Sequence, residues 1–137
     1  FVDGMVRSEV SALSLGPVTF LTIPGEIYPE MVVGGVENPP GADFEMAPIE
    51  IPPLKTVMPG DVKIVIGLAN DEIGYIIPKS EWDESQPFLY LAVESPYGEE
   101  NSLGPDAGPS TYNAAKSVLE ELKRIDGVQS EEPTSMD

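Results

Sequence analysis

Histidine and cysteine are both absent from the 137 residues of this chain. Without cysteine, the chain can form no disulfide and offers no thiolate nucleophile. Without either residue, it cannot supply a Ser-His or Cys-His catalytic pair or a complete zinc site of the usual His and Cys type. Any chemistry must therefore use Asp, Glu, Tyr, Ser or Lys, or be completed by residues from elsewhere.

Basic residues are scarce, with 7 Lys and Arg against 24 Asp and Glu, and the formal net charge is −17. A field of this sign repels phosphate backbones and anionic membrane surfaces, so we expect no nucleic-acid partner. The acidic surface either attracts cations or is simply a solvated surface suited to a salty medium, and charge balance alone favours the second interpretation. No apolar run approaches the roughly 20 residues that span a bilayer, so we expect no transmembrane segment.

Two strand-like runs surround the Gly16-Pro17 break and predict a β-hairpin over residues 9–23. The second run, residues 18–23, is nearly all β-branched or aromatic, which is typical of a buried strand. Residues 62–68 are apolar on both faces except at Lys63, and predict a central strand parallel to its neighbour. The fold class that we expect is α/β, a mixed sheet with flanking helices in which these two strands are adjacent.

The remaining segments are punctuated by many of the 13 glycines and 15 prolines. Six prolines within residues 36–60 predict an extended excursion with no regular helix, one that is functional or packed against something outside this chain. Residues 87–94 predict a strand, and residues 95–108 a loop. Apolar residues at helical spacing predict a helix over residues 112–125 that ends with Gly127 at its C′ position. Residues 1–127 are then the structured part, and residues 128–137 an acidic flexible tail.

Ligand-capable side chains follow the ends of the two strongest strands. Glu26 comes directly after Pro24-Gly25, and Tyr75 closes a polar loop that begins at Asn70. If the two strands are neighbours, Glu26 and Tyr75 lie at one edge of the sheet, where α/β proteins tend to place sites. A Glu carboxylate is a normal zinc ligand and a Tyr phenolate a rare one, whereas on spacing alone a turn carboxylate and an interfacial Tyr are the simpler interpretation.

A third candidate is the polar loop over residues 95–105, which contains Tyr97 and precedes the last helix. Functional loops have this composition, and so do ordinary loops that lead into a helix. The residues alone leave both interpretations open.

Three motifs in this order resemble one known family. They are Pro24-Gly25-Glu26 after a buried strand, Gly67-Leu68-Ala69-Asn70 followed by Gly74-Tyr75-Ile76, and Tyr97 followed by Gly104-Pro105. The order is similar to that in the last third of the catalytic domain of the neutral/alkaline non-lysosomal ceramidases. The resemblance covers most of residues 10–125.

The resemblance implies that the chain is the C-terminal part of a larger α/β catalytic domain that hydrolyses the N-acyl amide bond of a lipid-like substrate. Glu26 and Tyr75 would be zinc ligands, and Tyr97 would lie near the cleavage centre as a catalytic residue. The family's zinc-binding histidines and its serine nucleophile would come from the upstream part of the same protein, so this chain alone would be inactive. Family members are usually secreted, which implies an extracellular or periplasmic location.

A different class of protein is also compatible with the residues: a non-enzymatic α/β interaction domain whose proline-rich loop, residues 36–60, binds a partner. The upstream sequence distinguishes the two classes. Two well-separated histidines and a serine in a polar loop would favour the enzyme.

Overall fold

A computed structural model of the chain describes residues 5–130, and the side chains of residues 5–127. Its regular elements, in chain order, are β1 (Ser11–Leu15), β2 (Val18–Thr22), β3 (Glu26–Ile27), α1 (Pro29–Val33), α2 (Leu54–Val57), β4 (Val62–Ile66), β5 (Tyr75–Ile76), α3 (Tyr97–Glu100) and α4 (Ala107–Ser130). Short 3₁₀ turns follow β5 at Lys79–Glu81 and Leu89–Leu91. The fold is a small mixed α/β domain, as the sequence predicts.

The main sheet has the strand order β1-β2-β4. β1 and β2 form the predicted antiparallel hairpin across Gly16-Pro17, and β2 pairs in parallel with β4, with Val18 opposite Val62. The predicted adjacency of the two strongest strands is therefore confirmed. The prediction of a central strand over residues 62–68 is wrong, because β2 takes the centre and β4 lies at the edge. Alternate residues of β4 are exposed there, so its continuous apolar run does not reflect burial on both faces within this chain.

The long helix α4 covers one face of this sheet and supplies much of the core. Its buried residues Tyr112, Ala115 and Leu119 pack with Leu21 and Ile23 of the chain that runs through and beyond β2. Polar contacts fix the two ends of the helix: the Tyr112 hydroxyl donates to the Pro52 carbonyl at 2.6 Å, and the Ser14 hydroxyl donates to the Asp126 carboxylate at 2.8 Å. The predicted apolar face of the helix is thus buried from Tyr112 to Leu119, whereas Ile125 at the end of the predicted range is exposed.

The proline-rich residues 36–60 are largely irregular, as predicted, but they contain the single helical turn α2. Leu54 and Met58 of this segment are buried in the same core as α4. Glu50 is also fully buried, and its carboxylate accepts the backbone N–H of Lys79 at 3.0 Å. The excursion is therefore an integral part of the domain, packed under α4.

Three local predictions are wrong. The predicted loop over residues 95–108 contains the helical turn α3, and α4 begins within it at Ala107. Residues 87–94 form no strand, because Tyr90 and Leu91 adopt positive φ angles of 56° and 61°, which an extended strand cannot contain. Gly127 does not end the last helix, since α4 continues to Ser130. Of the tail at residues 128–137, the backbone of residues 128–130 is helical and residues 131–137 lie outside the described part. Across residues 5–130, no helix has the length and apolar character to cross a bilayer.

Candidate metal and catalytic site

A second, two-stranded sheet brings Glu26 and Tyr75 together. β3 and β5 pair in parallel with Glu26 directly opposite Tyr75. The backbone N–H of Glu26 donates to the Gly74 carbonyl at 3.0 Å, and that of Tyr28 to the Ile76 carbonyl at 3.1 Å. Directly opposed residues on paired strands project to the same side of the sheet, so the carboxylate and the phenol share one side. The two side chains that the sequence places at one sheet edge are therefore neighbours.

The position of this small sheet follows from the main one. The chains that leave β2 and β4 stay hydrogen-bonded beyond the strand ends, with Leu68 N–H donating to the Gly25 carbonyl at 3.0 Å and Ile73 N–H to the Pro24 carbonyl at 2.9 Å. Gly25 is buried, and a Cβ there would overlap the Gly74 carbonyl. Only glycine lets the two chains approach this closely, which gives the Pro-Gly-Glu turn a steric reason.

The third motif docks against the same strand. The Asn101 carbonyl accepts the Tyr75 backbone N–H at 2.9 Å, and Ser102 forms an isolated bridge with Tyr75. Tyr97, the first residue of α3, is largely exposed, and its ring lies edge-on to that of Tyr75 with centroids 6.0 Å apart. The structure thus brings all three predicted site residues, Glu26, Tyr75 and Tyr97, into one place.

The electrostatics of the site centre on the Tyr75 phenol. Loss of solvent contact raises its pKa, and the charge and hydrogen bonding of the Glu26 carboxylate raise it further, with smaller contributions from Tyr97 and Glu72. These effects all favour the neutral phenol over the phenolate. A cation between the two oxygens would act in the opposite direction and favour the phenolate.

Tyr28 is a further site residue that the sequence analysis missed. Its ring packs edge-on against Tyr75 with centroids 6.2 Å apart. Burial raises its pKa to about 12, with additional contributions from Glu99 and Tyr75. Gly98 leaves room for the hydroxyl, because a Cβ there would lie 2.5 Å from the Tyr28 oxygen. No periodic signal in the sequence could have found Tyr28, because it follows a strand of only two residues and precedes α1.

The metal-binding capacity of the site is limited to part of a ligand set. Within the residues that the structure describes, no group of three or more Asp or Glu is arranged to hold a metal ion. Zinc takes four ligands in structural sites, and three from protein in catalytic ones. Glu26 and Tyr75 are two oxygen donors of suitable type on one accessible side, and further ligands would have to come from outside this chain.

No family model, curated protein or solved structure matches the chain. What the site can do chemically follows from its three side chains, which are one carboxylate and two phenols. A carboxylate can bind a cation, and an exposed phenol such as that of Tyr97 can donate a hydrogen bond to negative charge.

Proposed function

We propose that this chain is the C-terminal part of a zinc-dependent amidohydrolase that resembles the neutral ceramidases and cleaves the N-acyl amide bond of a lipid-like substrate. The observation that carries the proposal is the parallel register of Glu26 with Tyr75. These two residues are 49 positions apart (75 − 26), so their pairing is a product of the fold and not of local chain geometry. The contact between the Tyr75 and Tyr97 rings adds the third residue that the resemblance implies.

Glu26 and Tyr75 would hold zinc together with ligands from the upstream part of the protein. The Glu26 carboxylate is exposed, and it forms no salt bridge with any residue that the structure describes. Its negative charge is therefore available to a cation. The chemistry that zinc supplies in such a site is polarisation of the amide carbonyl. The Tyr75 phenol would give up its proton on binding, because a ligating oxygen is deprotonated.

Tyr97 would act on the substrate and not on the metal. Its ring is held by Tyr75, while most of the side chain remains open to solvent. A phenol at this position can donate a hydrogen bond to the oxygen on which negative charge develops during amide cleavage. Loss of one such donor in enzymes of this general type lowers kcat by roughly 100- to 1,000-fold.

The zinc content of the full-length parent protein tests the proposal. Glu26→Gln should reduce zinc affinity by at least the roughly 10- to 100-fold that loss of a second-shell partner costs, because a ligand itself is removed. Glu120→Gln is the matched control, since Glu120 is an exposed carboxylate on α4 far from β3 along the chain. Zinc is measured by mass spectrometry after dialysis against a chelator series.

The amidase activity of the parent protein is a separate measurement. Tyr97→Phe should lower kcat for an N-acyl amide substrate and leave the zinc content unchanged, because Tyr97 is assigned to the substrate. A parent protein without stoichiometric zinc, or a Glu26→Gln variant that binds zinc like the control, would refute the metal assignment and favour the non-enzymatic interaction domain.

A further inference from the structure

The main sheet has an outer face that α4 does not cover, and seven of its nine residues are apolar. Because the strands are in register, their outward residues form three rungs across the sheet. The rungs are Leu15–Val18–Val62, Leu13–Phe20–Ile64 and Ser11–Thr22–Ile66. The apolar edge-strand members are exposed: Leu13 is 60% accessible, Leu15 67% and Val62 48%. We call these nine residues the outer face.

The inner face of the same sheet is more polar, although it is the face that packs under α4. Its register positions are Ala12, Ser14, Thr19, Leu21, Lys63 and Val65. A sheet that presents one face to water normally shows the reverse distribution, apolar inward and polar outward. Contiguous exposed apolar surface of this kind marks an interaction site on a protein. The pattern therefore identifies the outer face as a surface that is covered in the assembled protein.

The strand arrangement indicates what kind of layer covers it. The main sheet is mixed, since β2 and β4 are parallel and β1 is antiparallel to β2. In all-parallel sheets both faces are covered by other elements, and β4 has the near-continuous apolar run that is typical of such strands. No charged side chain belongs to the outer face, while exposed Glu9 and Asp61 lie next to the ends of β1 and β4. A complementary partner is apolar at its centre and carries basic residues at its rim.

A second copy of the chain does not meet this description. Each copy has a net charge of −17, with only 7 basic residues to provide a complementary rim. Face-to-face stacking would bring two chains of strongly negative net charge together, and their mutual repulsion costs free energy. The charge balance thus favours a partner of different composition.

We infer that the outer face docks an apolar, basic-rimmed layer from the upstream part of the same catalytic domain, so that the sheet becomes an internal layer of a larger α/β core. The source of that layer rests on the proposed function. β2 and β4 lead directly into the segments that carry Glu26 and Tyr75. Docking at this face would therefore also fix the positions of these two side chains relative to the zinc ligands of the upstream part.

Single cysteines test the inference directly, because the chain itself has none. Leu13→Cys and Ile64→Cys place a thiol on the outer face, and Glu120→Cys places one on the exposed side of α4 as the control. Thiol labelling is followed peptide by peptide in the native parent protein and in the 137-residue chain. In the parent protein, the thiols at positions 13 and 64 should label at least about 100-fold more slowly than after denaturation, because they react only through local opening. The control thiol should label rapidly in both.

Equal labelling of outer-face and control thiols in the parent protein would overturn the inference. Protection in the 137-residue chain that grows with protein concentration would assign the face to a second copy and also overturn it. The zinc measurement distinguishes this inference from the proposed function. Slow labelling in a parent protein without zinc would support the docking surface and refute the metal site. Zinc binding with rapid labelling would support the metal site and refute the docking surface.

Discussion

Glu26 and Tyr75 face each other across two strands of two residues each, and the pKa of the phenol is raised by loss of solvent contact and by the charge of the carboxylate. In the metal-free chain, replacement of this carboxylate by an amide should therefore lower the pKa of Tyr75 toward its ordinary value. Ultraviolet titration of tyrosine ionisation in Glu26→Gln, with Tyr75→Phe to assign the transition, measures the change. Glu45→Gln removes an exposed carboxylate elsewhere and should leave the transition where it was. An unshifted Tyr75 in Glu26→Gln would mean that the two groups do not interact.

Acidification should stabilise the folded chain. Burial raises the pKa of Glu81, Asp83 and Glu99, and nearby carboxylates raise it further, while backbone N–H groups offset part of the change. A group with a raised folded pKa binds more protons in the folded than in the unfolded state, so the free energy of unfolding falls as pH rises through that range. Urea unfolding should therefore show a rising free energy from pH 7 down toward the ordinary values of 4.5 for Glu and 3.8 for Asp.

A pair of variants separates this local effect from the general relief of negative charge. Asp83 is fully buried with one carboxylate oxygen unpartnered, whereas Asp61 is exposed. Asp83→Asn should flatten the pH dependence of the unfolding free energy, and Asp61→Asn should leave it nearly unchanged. The opposite ranking of the two slopes would show that net charge, not burial, governs the response.

Gly98→Ala should destabilise the chain by about 1–3 kcal/mol through overpacking, because the new methyl group would meet the Tyr28 hydroxyl at 2.5 Å. Tyr28→Phe removes that oxygen, and the next atom of the ring is 3.6 Å away. The double variant should therefore lose less stability than the sum of the two single variants. If the changes in unfolding free energy of the two single variants simply add up in the double variant, the Tyr28 hydroxyl does not contact position 98.

Core and outer-face leucines should differ sharply in the 137-residue chain. Leu119 is 1% exposed in the core, so Leu119→Ala should cost about 2–5 kcal/mol. Leu15 is 67% exposed on the outer face, so Leu15→Ala should stay within about 0.5 kcal/mol. In the parent protein, the cost of Leu15→Ala should become larger if that face is covered. A large cost in the isolated chain would mean that residues of the chain itself cover Leu15.

The parts of the fold that could be predicted are those with long regular patterns. The β-branched run of β2 and the helical spacing from Tyr112 to Leu119 both reflect burial of one face of the element. Because a buried face requires apolar residues at regular intervals, such burial is visible as a periodic pattern in the sequence. β3 and β5 could not be predicted, because strands of two residues have no period and exist through pairing with distant chain. For the same reason, the sequence did not predict that Glu26 and Tyr75 are paired in parallel register. The order of the strands predicted only that both residues lie at one edge of the sheet.

The errors have a common physical origin in tertiary context. The run at residues 62–68 is apolar on both faces, which normally means a central strand, but here one of those faces is left open within the chain. At Tyr90 and Leu91, apolar residues of high strand propensity turn through positive φ, with Tyr90 N–H donating to the Pro40 carbonyl at 2.9 Å. At residues 62–68 the strand itself forms as predicted, and only its position at the sheet edge is set by the rest of the fold. At Tyr90 a contact outside the local window, and not propensity, accompanies the change in backbone.

Gly74 lies between the strand that carries Tyr75 and the loop that carries Tyr97, with a φ of +85° and the Asn101 carbonyl where a side chain would begin. In an alignment of related sequences, a column that holds only glycine next to a chemically active tyrosine invites a catalytic explanation. At position 74 such invariance would instead have a steric cause, because any side chain there would overlap the Asn101 carbonyl. Selection there would act on the distance between two segments of backbone, and a change in the chemistry of the neighbouring side chain would leave that requirement in place.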